Sequence, residues 1–244
     1  MKESQILFNI SHMKCVIFDL DGTLLDTMED IRHAVNYALS AFEGSPISGD
    51  ECRRYVGRGL RNALVRAVAA DRSIHLQSDE ELDFMYSLLM GYYRNHPAVY
   101  ARPYDGIPEL LEDLQRRGIR MGVLSNKRDE LVKAIVSDKF PSIRFSAVIG
   151  QADGIPLKPD RRAFDHALSA IGADIRDVLY IGDSEVDAET ADNASAARII
   201  VSYGFRSDEE LRSRGIEPLP HVPSYDDIVR AYDGYWGRHD SQFN

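Results

Sequence analysis

An α/β protein, a parallel sheet with an all-α segment inserted into it, is predicted by three observations. From Lys14 onward, short apolar runs rich in β-branched residues alternate with longer amphipathic stretches, the pattern of parallel strands joined by crossover helices. About 100 residues separate the first such run from the second, where a crossover needs a dozen or more, so a unit has been inserted. Finally, polar and mostly ionisable residues follow directly on several of the strand runs, at the carboxyl ends where open parallel sheets bind ligands.

The elements follow in order. Strands are expected at Cys15 to Phe18, Arg120 to Leu124, Ala147 to Ile149, Val178 to Ile181 and Arg198 to Val201, each short and apolar as strands buried on both faces are. The insertion, Glu29 to Pro97, reads as helical. Ile31, Val35, Ala38, Leu39 and Phe42 recur at helical spacing, as do Leu60, Leu64, Ala67 and Val68, then Leu82, Met85, Leu88 and Leu89. Asp30, Asp50 and Ser78 are expected as helix-start residues. Arg102 to Gly106 reads as a turn ahead of a helix at Pro108 to Arg117. Residues 1–12 precede a second methionine, Met13, and are assigned no function. There are no internal repeats or low-complexity segments.

Composition narrows the function. Apolar residues make up 44 % and charged residues 28 % of the 244, a globular balance. The 29 Lys and Arg against 39 Asp and Glu give a formal net charge of −10, which repels nucleic-acid phosphates in the absence of a basic patch. No run nears the roughly 18 to 20 apolar residues that span a bilayer, and no secretory leader pattern opens the chain. Cys15 and Cys52 are too few for a disulfide framework or a zinc site. A cytoplasmic protein with neither nucleic-acid nor membrane partner is expected, as a monomer or homodimer.

The chemistry is expected where the strands end. Strand 15–18 runs into Asp19-Leu20-Asp21-Gly22-Thr23, strand 120–124 into Ser125-Asn126-Lys127, and strand 178–181 into Gly182-Asp183-Ser184 with Asp187 close behind; Lys158-Pro159 follows strand 147–149. Carboxylates gathered in this way repel one another and lose hydration, and a hard cation compensates both effects. Asp19, Asp183 and Asp187 with a backbone carbonyl offer the oxygen ligands of Mg²⁺. Lys158 and the Ser125 hydroxyl suit an anion bridging to that ion, and Gly22 and Thr23 let backbone N–H groups approach it closely. Together they describe a phosphoryl site. Asp19 is the expected nucleophile, and Asp21 the acid that protonates the leaving alkoxide and then the base that activates water.

These residues carry a resemblance. FDLDGTLLDT (Phe18 to Thr27), LSNK (Leu124 to Lys127), LKPD (Leu157 to Asp160) and IGDSEVDAETA (Ile181 to Ala191) resemble, in order, the four motifs of the haloacid dehalogenase-like (HAD) hydrolases, over Met13 to about Asp233. YVGRG (Tyr55 to Gly59), YDGIPELLEDLQRRG and VSYGFR resemble the phosphoglycolate phosphatase branch. The resemblance implies a Rossmann-like core of residues 13–28 and 98–234, a helical cap of residues 29–97, and Mg²⁺-dependent hydrolysis of a small phosphorylated metabolite. Asp19, Asp21, Ser125 and Lys158 would be catalytic. Gly22, Thr23, Asn126, Arg58 and Gly59 would bind substrate, and Asp19, Asp21, Asp183 and Asp187 the metal. Arg58 is expected to read a substrate carboxylate or phosphate through its fork of donors. Arg161 after Lys-Pro and Asn193-Ala194-Ser195 after the fourth motif depart from the usual pattern.

Three other readings compete. A phosphosugar mutase of the β-phosphoglucomutase kind would return the phosphoryl group to substrate. A dehalogenase is disfavoured, because halide departure has no use for the acid at Asp21. A non-catalytic binding module is disfavoured by the intact Asp19, Asp21, Lys158 and Asp183.

Overall fold

The computed structural model describes residues 13–240; residues 1–12, assigned no function above, lie outside them. Strand β1 (Cys15–Phe18) is followed by the two-residue β2 (Leu25–Asp26) and four helices: α1 (Met28–Ser40), α2 (Gly49–Tyr55), α3 (Leu60–Ala70) and α4 (Asp79–Asn95). The chain returns through β3 (Arg102–Pro103) into α5 (Ile107–Arg116), β4 (Arg120–Arg128), α6 (Asp129–Lys139), β5 (Ala147–Gln151) and α7 (Arg161–Ile171). A 3₁₀ turn (Ile175–Asp177) leads to β6 (Val178–Gly182), α8 (Glu185–Ala194), β7 (Ala197–Ile200), α9 (Asp208–Arg212) and α10 (Tyr225–Asp240).

All five expected strands form one sheet in the order β5-β4-β1-β6-β7, with every pairing parallel. Strand β1 is central and fully buried, and its alternation divides the core. Val16 and Phe18 face one apolar cluster with α5 and α6, while Cys15 and Ile17 face a second with α7 and α8. Burial pushes both thiols up to about 12, which keeps them protonated and inert.

The boundaries differ from expectation in places that have a physical reason. Strand β4 runs on to Arg128 after a register break beyond Leu124, which keeps Ser125, Asn126 and Lys127 in the sheet plane and buried. Arg102-Pro103 is no simple turn, since it pairs antiparallel with Leu25-Asp26 and makes a two-stranded neck where the chain leaves and re-enters the core. Asp30 does not start α1. Thr27 precedes that helix, and Asp30 is buried within it, accepting the Tyr100 N–H as the chain returns. Ser48, rather than Asp50, caps α2, in a capping box with Glu51.

Two glycines test the packing. A Cβ on Gly150 would lie 2.5 Å from the Lys127 carbonyl oxygen and 2.7 Å from the Asp129 nitrogen, backbone atoms that cannot yield, whereas Gly91 within α4 faces open space. By urea denaturation, Gly91→Ala is expected to raise stability by about 0.5–1 kcal/mol through helix propensity. Gly150→Ala should lower it by about 1–3 kcal/mol through overpacking.

Candidate active site

Asp19 is placed by β1. Its N–H continues the sheet ladder to the Ile181 carbonyl at 2.9 Å, so the side chain emerges where the two central strands end. The next six residues form a tight turn in which the N–H groups of Leu24 and Leu25 both return to the Leu20 carbonyl. Gly22 is needed here on two counts. Its φ is +85°, and a Cβ would fall 2.3 Å from Asp183 Oδ2.

Lys158 is the centre of the site. Its ammonium lies 3.0 Å from Asp19 Oδ1, 2.8 Å from Asp187 Oδ1 and 2.9 Å from the Tyr180 hydroxyl, and the residue is buried. Burial alone would lower the lysine pKa, but the Asp187 and Asp19 carboxylates more than offset it and hold the group protonated. Its backbone is clamped too. The Asn126 amide accepts the Lys158 N–H at 2.7 Å and donates to the Lys158 carbonyl at 3.0 Å.

Asp187 is saturated. One oxygen accepts from Lys158 and the Tyr180 hydroxyl, the other from the N–H groups of Asp183 and Ser184 and from the Ser184 hydroxyl. Despite full burial its pKa is lowered, because Lys158 and these donors favour the charged form. Asp183 is the opposite case. It accepts only from Thr23 Oγ1 at 3.2 Å and the Phe205 N–H at 2.7 Å, and among the described residues it makes no salt bridge. Burial first, then the Asp187 and Asp19 charges, push its pKa well above the carboxylate range. Burial likewise raises Asp19, to about 7, with Lys158 pulling back against Asp187 and Asp21. One oxygen from each of Asp19, Asp183 and Asp187 lies within 4.8 Å of the others. Two of the three carboxyls thus resist ionisation in the protein alone, a donor set that a hard divalent cation would satisfy.

Asp21 Oδ1 is held by Lys127 Nζ at 2.5 Å and Thr27 Oγ1 at 2.6 Å, and Asp21 is not one of the three clustered acids. Lys127 is buried with its ammonium 5.0 Å from the centre of the Tyr93 ring of α4.

One pocket is lined by Asp19, Asp21, Gly59, Ser125, Asn126, Lys158, Asp183 and Asp187. Gly22 and Thr23 sit behind it, against Asp183. Arg58 does not line it. That side chain is exposed and lies 3.7 Å from Glu189, because the positive φ at Gly57 and Gly59 turns the loop so that the glycines face the pocket. The arginine that does line the pocket is Arg206, which sequence reasoning quoted within VSYGFR without giving it a role. Tyr180 and Thr27 were also missed. Neither has a sequence signal beyond an apolar strand and a turn. The roof, contributed by Ile31, Val56, Leu60 and Ala63, is apolar.

A parallel sheet with an aspartate at the end of its central strand, a buried lysine beside it and two more acids just beyond the neighbouring strand defines a hydrolase of the phosphoryl-transferring class. Residues 16–201 match the family model of the haloacid dehalogenase-like hydrolases, and the chain belongs to that family. It is a phosphatase of the phosphoglycolate-phosphatase-like branch. A phosphoglycolate phosphatase of Caulobacter vibrioides is 34 % identical over 216 residues, covering 88 % of this chain and 89 % of its own. An N-acetylmuramic acid 6-phosphate phosphatase of Pseudomonas aeruginosa is 34 % identical over 198 residues, covering 81 % and 85 %. A solved structure from Lactobacillus delbrueckii subsp. bulgaricus, assigned provisionally as a phosphoglycolate phosphatase, superposes with a TM-score of 0.78 at 28 % identity, over 90 % of this chain and 98 % of the other.

The two ion pairs singled out here should differ sharply in weight. Asp187→Ala leaves the Lys158 charge buried with a partner lost, and is expected to cost about 3–5 kcal/mol in urea denaturation. Arg58→Ala removes an exposed pair and should change stability by less than about 0.5 kcal/mol.

Proposed function

We propose that this phosphatase hydrolyses a small phosphorylated metabolite, with 2-phosphoglycolate the first candidate, through an aspartyl-phosphate on Asp19 and with Mg²⁺ as cofactor. The observation that carries the reading is Asp19 itself, at the end of the central strand, beside Lys158 and within 4.8 Å of Asp183. The raised pKa of Asp19 and Asp183 supports a bound divalent ion, held by these two. Asp187, whose oxygens already accept five hydrogen bonds, is assigned to hold Lys158 in place. When bound, Mg²⁺ would supply positive charge against the carboxylates and the phosphoryl oxygens.

The residues then divide the work. An Asp19 oxygen attacks phosphorus, and the P–O bond to the leaving alcohol breaks as Asp21 gives that oxygen its proton. Asp21, now a carboxylate, takes a proton from water as the water attacks phosphorus. The Asp19–phosphorus bond breaks, inorganic phosphate leaves and both aspartates return to their starting states. Lys127 and Thr27 fix the Asp21 carboxyl for both steps. Lys158 and the Ser125 hydroxyl would receive phosphoryl oxygens, with Asn126 holding the Lys158 backbone and Gly22 and Thr23 backing Asp183. Helices α1 to α4, residues 29–97, are assigned as a cap over a core of residues 13–28 and 98–234, and the apolar roof excludes water while the phosphoenzyme forms.

The substrate is expected to be a free small molecule. No helix among the described residues is long and apolar enough to cross a membrane, and the free, buried Cys15 and Cys52 suit the reducing cytoplasm to which we assign the enzyme.

A panel of phosphomonoesters assayed for inorganic phosphate with and without Mg²⁺ tests the reading. Turnover should require the ion, and Asp19→Asn should lose about three orders of magnitude or more in kcat while its circular dichroism is unchanged. Wild-type turnover by that variant would remove the assigned nucleophile.

The ion also leaves a signature in stability. An Asp19 carboxyl raised from 3.8 to about 7 contributes stability that is complete below its unfolded pKa and is lost as pH rises through about 7; Asp183 acts in the same direction. In EDTA the thermal midpoint should therefore fall between about pH 5 and pH 8, and Mg²⁺ should raise it more at the higher pH. An equal rise at both would show that these carboxyls do not hold the ion.

A further inference from the structure

Helix α2 is short, and its last carbonyls have no partner within the helix. The core supplies them. Arg206, in the segment after β7, donates from Nη1 to the Arg53 carbonyl at 2.9 Å and from Nη2 to the Val56 carbonyl at 3.1 Å. It is buried and oriented by Glu185, whose carboxylate accepts from Nε at 2.9 Å. Asn126 adds a third bond, to the Gly57 carbonyl at 3.3 Å, and Arg53 answers from the insertion with one to the Gly204 carbonyl at 3.3 Å.

The position of this contact gives it a consequence for the chemistry. The carbonyls that Arg206 holds bracket the start of the loop carrying Val56, Gly57, Gly59 and Leu60, which roof the pocket. The residue before it, Phe205, donates its N–H to Asp183 at 2.7 Å. One short segment therefore holds the roof from one residue and an acid of the site from the next. A planar fork of donors spread over one rigid group serves two carbonyls and Glu185 together in fixed directions, which the single nitrogen of an ammonium does not provide.

We propose that Arg206 is a positioning residue for hydrolysis: it fastens the residue 56–60 loop over the pocket and so assembles the roof above Asp19. The proposal rests on the reading of that pocket as the catalytic site. It assigns Arg206 no contact with the reacting atoms.

Hydrogen–deuterium exchange of the full chain reads the latch without turnover. In Arg206→Ala, amides of residues 53–60 should exchange about tenfold faster or more, with β1 and β6 unchanged. Kinetics with 2-phosphoglycolate and p-nitrophenyl phosphate should show KM raised about tenfold and kcat less affected. Arg206→Lys should fall between, because it keeps the charge and loses the fork. Unchanged exchange at residues 53–60 overturns the proposal whatever the activity, and faster exchange with unaltered kcat and KM overturns the positioning role. If Arg206→Ala does not fold, Glu185→Gln should give a smaller rise in the same segment, and no rise there is equally fatal. Full turnover by Asp19→Asn would instead bring down the catalytic reading, while the exchange data would still decide whether Arg206 holds the loop.

Discussion

The site depends on one buried ammonium. Lys158 reaches Asp19, Asp187 and Tyr180 from a loop that belongs to none of the elements that place those residues. Burying a charge is costly unless it is paired and hydrogen-bonded, and here the ammonium is paired with two carboxylates and donates to a hydroxyl. The same contacts hold Asp187 ionised and pull Asp19 toward the charged form that a nucleophile needs. Without that cation the carboxyls at the ends of β1 and β6 would face one another unopposed. Its position is in turn set by the Asn126 amide on both sides of its backbone, which is why β4 must stay ordered past Leu124.

Positive charge is rationed across the site. Lys127 is committed to Asp21, Lys158 to Asp19 and Asp187, and Arg206 to Glu185 and two carbonyls. Among the described residues Asp183 has no such partner, and its pKa, like that of Asp19, is driven above the carboxylate range. The asymmetry is one of pairing: the protein's own donors neutralise Asp187, whereas Asp183 is left with two hydrogen bonds and no protein cation beside it.

Much of this was readable in the sequence because it is periodic or local. Buried parallel strands announce themselves as apolar runs, and the residues that follow them, Asp19, Ser125 and Asp183, are placed by the sheet with no further information. What escaped the sequence is fixed by long-range geometry. The neck pairs two-residue strands, one containing Pro103, too short for any periodic signal. Arg58 and Arg206 look equivalent as letters, yet backbone angles at Gly57 and Gly59 expose the first, and Glu185 draws the second into the pocket. Asp187 has ligand spacing, and only its five hydrogen-bond donors show what occupies its oxygens.

The neck and the arginine contact act on the insertion in complementary ways. Leu25-Asp26 and Arg102-Pro103 pair by backbone bonds and tie both crossings of the chain at one edge, where Asp30 also takes the Tyr100 N–H. Elsewhere the insertion meets the core through side-chain donors on backbone carbonyls, at Arg206 and Asn126. A backbone ladder at a covalent crossing persists in any arrangement of the two parts. Side-chain bonds to carbonyls can instead be exchanged for water at little net cost, since each is worth only about 0.5–1.5 kcal/mol in balance, more for a charged donor. The insertion is therefore held in two unlike ways, and the contact made by side chains is the one that a single substitution can release.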